Sequence, residues 1–322
     1  MARRLVGVTM ARNEADIIEA FVRHNLRYLD EMLVLDHGSS DATGDILRAL
    51  QAEGLPLTLA QPPREPIFKQ ADWTTHLARQ AFADHAADYV FPIDADELLR
   101  ADSRAAIDDA LDRLSAPVLS LPWPTYVCRG DESGHPLHVM RWRVDVAPGP
   151  LRKVVLPRQT GMAQNWKIGQ GNHLLWTDAD HGKWDAGTSH PIPGVELAHL
   201  PLRSPEQLIA KVLIGRLTRR LTAGPGIDET TTSWHFRELY QRIMDGQQIT
   251  PPVVREYAVA VYALGKKPGE VDVAQVRLVA DPFAEPMPLR YTPNHPVKPA
   301  LLLAAWALSL VERVTPQRPA QA

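Results

Sequence analysis

The acidic residues at positions 94–97 have the types and the spacing that metal chemistry requires. Residues 89–93 read Tyr-Val-Phe-Pro-Ile, and the next four read Asp-Ala-Asp-Glu. Two carboxylates one residue apart, at the end of a buried strand, can hold a hard divalent cation against phosphate oxygens. We therefore expect Asp94 and Asp96 to lie at a site for Mg²⁺ or Mn²⁺. The alternative is a turn that leads into a helix near Ser103.

A second Asp-x-Asp sequence, at residues 178–180, shows that the pattern alone is a weak signal. The residues before this second copy do not read as an apolar strand, in contrast to those before Asp94. Its position after a strand therefore distinguishes the first copy.

Two further polar clusters follow segments with a strand-like pattern. Residues 11–14 read Ala-Arg-Asn-Glu, and residues 36–41 read Asp-His-Gly-Ser-Ser-Asp. Open α/β sheets bind ligands in the crevice at the carboxyl ends of their strands. We therefore expect the chemistry of this protein at the edge where these clusters and residues 94–97 lie.

The first hundred residues alternate strand-like and helix-like patterns, which predicts a mostly parallel sheet with crossover helices. Helices are indicated where apolar residues recur at a spacing of three and four. The predicted strands are 5–10, 32–35, 55–59 and 89–93, and the predicted helices are 17–29, a segment through 46–50 and 72–87. The order βαβαβαβ predicts an α/β fold with a Rossmann-like central sheet.

The second half of the chain is less regular and more helical. Strands are predicted at 152–157 and 195–199, and helices at 204–221, 228–248 and 253–264. Ser204 followed by Pro205 is a typical helix start, because Pro is favoured at the first helical position. We expect a first domain over residues 1–230 and a mostly helical C-terminal extension over 231–322.

The composition is that of a soluble globular protein and limits the classes of partner. Of 322 residues, 45% are hydrophobic and 23% are charged. Lys and Arg number 35 against 38 Asp and Glu, so no overall positive field would attract nucleic acid. The single cysteine agrees with a reducing compartment, and the short apolar stretch at the N-terminus does not read as a signal peptide. We expect a cytoplasmic protein without a nucleic-acid partner.

One long apolar segment lies at residues 299–311, PALLLAAWALSLV. It is shorter than the ~20 residues that a membrane-spanning helix needs. It would either pack on the protein body or lie in a membrane interface with Trp306 as an anchor. The second arrangement predicts peripheral contact with the inner face of a membrane.

Four sequence segments together resemble family 2 glycosyltransferases with the GT-A fold, in particular a bacterial subgroup. They are ARNEADII at 11–18, LDHGSSDAT at 35–43, ADYVFPIDADELL at 87–99 and AHLPLRSPEQ at 198–207. The resemblance implies a metal-dependent, inverting enzyme that moves a sugar from a nucleoside-diphosphate donor to a saccharide or lipid-linked acceptor. It implies a UDP-sugar as the donor and glycan or surface-polysaccharide synthesis as the setting. The Gln-Arg-Trp signature of processive synthases is absent from the sequence, so we expect a non-processive enzyme.

The same resemblance implies roles for individual residues. Asp96 would be the principal metal ligand, and His199 would match the metal-binding histidine of the family, a ligand that suits Mn²⁺. The residues implied at the nucleotide are Asn13, Glu14 and Asp36 at the base and ribose, Asp94 at the ribose or metal, and Arg79 at the diphosphate. Arg203 and Lys211 are further candidates for phosphate contacts.

The catalytic base is not fixed by these motifs. An inverting transfer needs a group that takes the proton from the acceptor hydroxyl. We favour Asp185, in a Trp-flanked segment, over Asp180, Asp178 and His173. Trp166, Trp176 and Trp184 are candidates for stacking on sugars, or for filling the core.

Two other functions remain open at the level of sequence. In the resemblance to family 2, His37 stands where many members carry a second aspartate, which affects which nucleobase of the donor is selected. An inactive GT-A-like carbohydrate-binding protein would keep the fold without turnover. A nucleotidyltransferase is disfavoured because residues 10–14 contain no glycine to cradle a triphosphate.

Overall fold

The protein is described here from a computed structural model. The structure describes residues 3–61, 69–129, 134–146, 152–163, 165–177, 183–184, 189–223, 234–282 and 287–293, with the single residues 303 and 307. The strands are β1 (Leu5–Ala11), β2 (Glu31–Asp36), β3 (Leu57–Ala60), β4 (Tyr89–Pro92), β5 (Glu97–Arg100), β6 (Leu119–Leu121), β7 (Tyr126–Val127), β8 (Trp142–Val144), β9 (Lys153–Pro157), β10 (Trp166–Ile168), β11 (Leu175–Thr177), β12 (Lys183–Trp184), β13 (His190–Pro191), β14 (Glu196–His199) and β15 (Leu278–Ala280).

The helices surround these strands and dominate the later part of the chain. They are α1 (Ile18–Asn25), α2 (Thr43–Ala52), α3 (Gln70–Ala83), α4 (Arg104–Asp112), α5 (Pro136–Val139), α6 (Arg158–Gly161), α7 (Pro205–Ala223), α8 (Trp234–Met244) and α9 (Pro251–Tyr257). A π-helical stretch, Ala258–Ala263, continues directly from α9. Short 3₁₀ helices lie at Gln170–Asn172 and Val273–Gln275.

The central sheet has seven strands among the described residues, in the order β13-β6-β9-β4-β1-β2-β3. The neighbours β4-β1, β1-β2 and β2-β3 are parallel, as is β13-β6, whereas β9 runs antiparallel to β4 and β6. The predicted α/β class, with a mostly parallel central sheet and helices in the C-terminal part, is confirmed. The four predicted strands of the first hundred residues are all present.

Both faces of the parallel strands are covered, which explains their almost continuous apolar sequences. Successive strand residues point to opposite faces, so Met32 and Val34 pack with α1 and α2, whereas Leu33 and Leu35 pack with α3. This two-sided packing leaves the ends of the strands as the place where polar side chains can gather.

Smaller sheets attach the second half of the chain to this core. β14 pairs antiparallel with β5, and the register places His199 opposite Glu97. β15 pairs with β8, which pairs with β7. A separate hydrophobic cluster joins these strands to α7, α8, α9 and the π-helical stretch.

Three expectations from the sequence need correction or fall outside the described residues. The predicted helix 253–264 is α-helical only to Tyr257 and π-helical beyond it. The second Asp-x-Asp sequence does follow a strand, because β11 ends at Thr177, so that contrast with Asp94 was wrong. Most of the segment 299–311 lies outside the described residues. Among the described residues, no helix is both long and apolar enough to span a bilayer.

Candidate active site

The turn between β4 and β5 carries the acidic residues 94–97. A strand, not a helix, follows the turn, and Ser103 caps α4 only after β5 has ended. The Asp94 N–H donates to Glu97 Oε2 at 2.9 Å, and the Leu200 N–H donates to the Asp96 carbonyl at 2.8 Å. The turn is therefore fixed both internally and to the end of β14.

Lys153, on β9, lies between two of the carboxylates. Its Nζ donates to Asp94 Oδ2 at 2.6 Å and lies 2.7 Å from Glu97 Oε1. The side chains of Lys153 and Glu97 are 2% and 0% exposed. Burial alone would lower the pKa of Lys153, but the two carboxylates raise it above its ordinary value. Burial raises the pKa of Glu97 to about 8, against the opposing charge of Lys153.

Asp94 is also held by two amide side chains. Gln70, at the start of α3, donates to Asp94 Oδ1 at 2.8 Å, and Asn172 donates to the same oxygen at 3.1 Å. The Gln70 amide oxygen in turn accepts from the Gly171 N–H at 3.2 Å. The carboxylate is thus positioned by α3, β9 and the first 3₁₀ helix together.

Asp96 faces a different pair of cations. Lys211, on α7, donates to Asp96 Oδ2 at 3.2 Å, and Arg203 Nη1 lies 3.9 Å from the same oxygen. Burial alone would raise the pKa of Asp96, but the neighbouring positive charges, with Lys211 the largest, lower it below its ordinary value. The Asp96 carboxylate is therefore ionised at neutral pH.

The Arg203 guanidinium joins this site to the loop after β1. Its side chain is fully buried, and it forms an ion pair with Glu14 and donates to both oxygens of Asp16 at 2.7 and 2.9 Å. Burial raises the pKa of Glu14 to about 7, against the attraction of Arg203. Because one guanidinium contacts Glu14 and also faces Asp96, these two sequence clusters form a single site.

His199 completes a set of side chains that can hold a cation. The side chains of Asp96, Glu97 and His199 each offer a ligand atom, and these atoms lie within 4.8 Å of one another. His199 Nε2 lies 4.0 Å from Asp96 Oδ1, which is too long for a hydrogen bond, and the buried Nδ1 has no hydrogen-bond partner among the residues that the structure describes. Burial lowers the pKa of His199 to about 3, so its imidazole is neutral, as metal ligation requires. The ionised Asp96 and the neutral His199 are ready ligands, and Glu97 becomes a second carboxylate ligand on losing its proton; this donor set fits Mn²⁺ or Mg²⁺.

Aromatic rings surround His199 and the buried lysine. The Trp123 ring centroid lies 4.4 Å from that of His199 and 4.9 Å from that of His173, and Lys153 Nζ lies 5.1 Å from its centre. Tyr262, in the π-helical stretch, lies 5.6 Å from the His199 ring on another side. These rings limit the space around the imidazole and fix its orientation.

His173, one of the candidate bases, lies at the edge of this aromatic group. In the tautomer that donates from Nδ1, its ring bonds to the Arg152 carbonyl at 3.0 Å, which leaves Nε2 as an acceptor. Burial, assisted by the charge of Lys153, lowers the pKa of His173 to about 4. Gly171 leaves room for this ring, because a Cβ there would lie 2.8 Å from His173 Cδ2.

The loops after β1 and β2 are held together by their own side chains. Asn13 Oδ1 accepts from the Ser40 N–H at 2.7 Å, and the Asn13 N–H donates to Ser39 Oγ at 3.0 Å. Asp36 Oδ1 accepts from the Ser39 N–H at 2.9 Å. Asn13 adopts a positive φ of 56°, which asparagine tolerates better than most residues. The implied nucleotide residues therefore lie at the carboxyl ends of two adjacent parallel strands.

Not every implied residue joins this site. Arg79 donates to the Trp166 carbonyl at 2.7 Å and stacks on that ring at 5.2 Å, so its guanidinium packs on β10. Trp166 is buried and fills the core, whereas Trp176 is 45% exposed. Asp178, Asp180 and Asp185 lie outside the described residues.

The sequence analysis did not identify Lys153, Glu97, Trp123 or Tyr262 as site residues. Glu97 belongs to the quoted acidic motif, and its place one residue after Asp96 was the available signal. Lys153 begins an apolar strand, where a lysine is rarely buried unless it is paired. No sequence pattern marked Trp123 or Tyr262 as site residues.

Part of the chain that contains the site matches a protein-family model. Residues 8–145 match the family model described as glycosyl transferase family 2. This stretch includes Asn13, Glu14, Asp36, Asp94 and Asp96. No curated protein sequence matches the chain.

Similar solved structures include three complexes with nucleotides or nucleotide sugars. Residues 1–349 of TarS from S. aureus, in complex with UDP, are 11% identical, with 75% of this chain and 72% of that chain covered and a TM-score of 0.36. The mannosyltransferase PcManGT from Pyrobaculum calidifontis, with GDP-Man and Mn²⁺, is 19% identical over 97% of this chain and 88% of that chain, with a TM-score of 0.38. Glucosyl-3-phosphoglycerate synthase from Mycobacterium tuberculosis, with Mn²⁺, UDP-Glc and phosphoglyceric acid, is 18% identical over 49% and 58%, with a TM-score of 0.29. The chain spans 23% of a longer TarS chain.

Proposed function

We propose that the protein is a metal-dependent glycosyltransferase that moves a sugar from a nucleoside-diphosphate donor to a saccharide or lipid-linked acceptor. The observation that carries this proposal is the group of Asp96, Glu97 and His199, whose ligand atoms lie within 4.8 Å of one another at the carboxyl end of β4. Asp96 and Glu97 lie in the stretch that matches the glycosyl transferase family 2 model. Two findings thus support the proposal: the site fits a divalent cation, and the segment that contains its two acidic residues matches a glycosyltransferase family model.

Asp96, Glu97 and His199 would hold the metal. The imidazole of His199 would be an uncharged ligand beside the acidic ones. A bound Mn²⁺ or Mg²⁺ would stabilise the negative charge of the diphosphate leaving group. The two cations beside Asp96, Lys211 and Arg203, are fixed donors that can also contact phosphate oxygens. Their positions are set before any ligand binds, so little reorganisation is needed.

The donor nucleotide would lie against the loops after β1 and β2. Carboxylates such as Glu14 and Asp36 accept hydrogen bonds from ring N–H groups and ribose hydroxyls. The cross-links between Asn13, Ser39 and Ser40 keep both loops in place. We assign the base and ribose to Asn13, Glu14 and Asp36, with a UDP-sugar as the expected donor.

For an inverting, non-processive transfer, a base must take the proton of the acceptor hydroxyl. We assign this role to Asp185, with Asp180 and His173 as alternatives. His173 Nε2 would accept the proton while Nδ1–H stays bonded to the Arg152 carbonyl. Its low pKa makes it a weak base at neutral pH, which favours a carboxylate.

The exposed Trp176 would stack on the acceptor sugar. We propose glycan or surface-polysaccharide assembly at the inner face of a membrane as the setting.

The test is calorimetric titration of UDP and GDP, each with and without Mn²⁺, into the wild type and Asp96→Asn. We expect binding that requires Mn²⁺ and that Asp96→Asn abolishes. Asp72→Asn is the matched control, because Asp72 is an exposed residue of α3 that pairs with Lys167. Equal binding by the two variants would refute the site. Sugar release from the preferred donor then separates an enzyme from a protein that only binds carbohydrate.

A further inference from the structure

The side chains of the site follow the order of the strands along the carboxyl edge of the central sheet. The strands β2, β1, β4 and β9 are successive neighbours. Asp36 ends β2, Glu14 follows β1 and Asp94 follows β4. Because β9 runs antiparallel to β4, its first residues lie at this same edge, and His173 bonds to the carbonyl of Arg152, directly before β9. His173 therefore lies on the far side of Asp94 from the loops after β1 and β2.

This order can be compared with the covalent order of a sugar nucleotide, which is base, ribose, diphosphate and sugar. The proposed function assigns the base and ribose to the loops after β1 and β2, and the metal and diphosphate to the turn after β4. The next strand, β9, lies about 4.8 Å beyond β4. A sugar attached to a diphosphate at the turn can therefore reach the start of β9, where His173 lies.

Direct packing connects His173 to the metal site. The Trp123 ring centroid lies 4.9 Å from that of His173 and 4.4 Å from that of His199. Lys153 Nζ lies 5.1 Å from the centre of the Trp123 ring and donates to Asp94 at 2.6 Å. His199 and Lys153 are buried, whereas Trp123, His173 and Asp94 are each partly exposed. These three side chains therefore form the accessible surface beside the metal site.

His173 can accept a hydrogen bond at Nε2. A carbonyl oxygen only accepts, so the 3.0 Å contact between Nδ1 and the Arg152 carbonyl requires the proton on Nδ1. Burial lowers the pKa of the ring to about 4, so Nε2 keeps its lone pair at neutral pH. Among the residues that the structure describes, no group donates to Nε2. A hydroxyl group is the donor that this atom lacks.

The turn before His173 leaves this edge of the ring uncovered. Gly171 and Asn172 have positive φ values of 72° and 59°. A Cβ at position 171 would lie 2.8 Å from His173 Cδ2 and 3.1 Å from Nε2, so any larger residue would crowd the accepting atom. Asn172 also donates to Asp94 Oδ1 at 3.1 Å. The turn thus holds the imidazole and the Asp94 carboxylate in a fixed relation.

We propose that His173 Nε2 accepts a hydrogen bond from a hydroxyl of the transferred sugar, an assignment that rests on the proposed transferase function. Trp123 offers its ring to the apolar C–H groups of the same sugar. The carboxylate of Asp94 is a second acceptor for hydroxyl groups. His173 is then a sugar-binding residue and not the catalytic base, since an atom that holds a hydroxyl of the donor does not take the proton of the acceptor.

The experiment compares each nucleotide with its sugar nucleotide. UDP, UDP-glucose, GDP and GDP-mannose are titrated calorimetrically, with Mn²⁺, into the wild type, His173→Asn and His173→Gln. The asparagine amide can still donate to the Arg152 carbonyl but does not extend to the position of Nε2, whereas the glutamine carbonyl does. His190→Asn is the matched control, because His190 is exposed on β13.

We expect His173→Asn to bind the sugar nucleotide about three- to tenfold more weakly, the range of one hydrogen bond, and to bind the nucleotide unchanged. His173→Gln and His190→Asn should bind both ligands nearly like the wild type. Retained nucleotide binding by His173→Asn shows that the variant is folded.

Three results would overturn the proposal. Equal weakening of nucleotide and sugar nucleotide assigns His173 to the nucleotide or metal site. Unchanged binding of all four ligands means that His173 does not contact the donor sugar, and loss of sugar release in that case assigns it to the base. Equal weakening in His173→Asn and His173→Gln means that ring packing, not the acceptor atom, is responsible. The proposed function fails by a different result, the absence of Mn²⁺-dependent binding of UDP and GDP by the wild type.

Discussion

At the scale of single residues, Lys153 determines the charge balance of the acidic turn. Its ammonium group contacts Asp94 and Glu97 at 2.6 and 2.7 Å, and it is almost fully buried. Two carboxylates brought together by a tight turn would repel each other in a dry environment. The lysine therefore places one buried positive charge between the side chains of Asp94 and Glu97.

Replacing this ammonium should cost far more stability than replacing an exposed one. Lys153→Met leaves buried acidic groups without their partner, and we expect a loss of about 3–5 kcal/mol in the free energy of unfolding. Lys167→Met is the control, because its ion pair with Asp72 is about half exposed on both sides and contributes at most about 1 kcal/mol. Urea denaturation of both variants gives the comparison. Similar losses would show that the Lys153 contacts do not carry this stability.

Glu97 should make the folded state less stable as the pH rises. Its pKa is about 8 in the folded protein against an ordinary value of 4.5, so the folded state binds the proton more tightly than the unfolded state does. The stabilisation is complete below pH 4.5 and is lost as the pH rises through about 8, with a slope of up to about 1.4 kcal/mol per pH unit.

The Glu97→Gln variant tests this dependence, because an amide cannot ionise. Between pH 5 and pH 8, we expect the free energy of unfolding of the wild type to fall relative to that of Glu97→Gln. The slope of this fall should be at most about 1.4 kcal/mol per pH unit. Circular dichroism at several urea concentrations and pH values measures the difference. Parallel pH profiles for the two proteins would exclude the proposed titration.

The residues that were predictable from the sequence are placed by a local pattern, whereas the others depend on distant parts of the chain. Asp94 and Asp96 were predictable because a local pattern, an apolar strand followed by a polar turn, fixes their place. Lys153 was not, because its burial depends on carboxylates from a segment about sixty positions earlier in the chain. A single sequence shows the local pattern but not the distant partner.

At the scale of elements, the π-helical stretch brings Tyr262 to the site. The Leu264 N–H bonds to the Val259 carbonyl at 3.1 Å, a spacing of five residues that widens the helix locally. Such π turns are frequent at functional sites. Helical periodicity predicted the helix here but could not predict the extra residue in its turn, so the direction of the Tyr262 ring was not predictable.

The Tyr262 ring should strengthen nucleotide binding by holding Lys211 and His199 in place. Its centre lies 5.8 Å from Lys211 Nζ and 5.6 Å from the His199 ring. We expect Tyr262→Ala to weaken Mn²⁺-dependent UDP or GDP binding by about three- to thirtyfold, the range of a cation–π contact. Tyr262→Phe keeps the ring and should bind nearly like the wild type. If the two variants bind alike, the ring has no such role.

At the scale of the whole molecule, the C-terminal part is tied to the α/β core at several points. Arg100 of β5 donates to both oxygens of Asp281 at 2.5 and 2.6 Å. Buried Glu19 of α1 accepts from the N–H groups of residues 290–292 at 2.8 to 2.9 Å. The division into a first domain over 1–230 and a mostly helical extension over 231–322 stays a prediction. The sequence did not predict these contacts, since composition changes along a chain do not reveal which surfaces pack together.

A fragment ending at residue 230 should not fold as a stable unit. It would lose buried apolar side chains of the hydrophobic cluster that joins β7, β8 and β15 to α7, α8 and α9, among them Leu239, Tyr257 and Val259, each contributing about 1.5–3 kcal/mol. Their sum is comparable with the whole stability of a domain, about 5–15 kcal/mol. We expect no cooperative urea transition for 1–230. Fragment 1–293 keeps these contacts and serves as the control, and a cooperative transition for 1–230 would support an independent first domain.

The pairing of β5 with β14 also has a consequence for synthesis on the ribosome. Glu97 and His199 are opposite each other in the folded register, yet about a hundred residues separate them in the chain. At roughly 5–20 residues per second, the acidic turn emerges about 5–20 s before the histidine and the two cations of 203 and 211. Lys153, the buried counter-charge of the turn, is made about midway through that interval. Until then the carboxylates of the nascent turn have only water and dissolved ions around them, so the turn can take its folded charge balance only after β9 has been made.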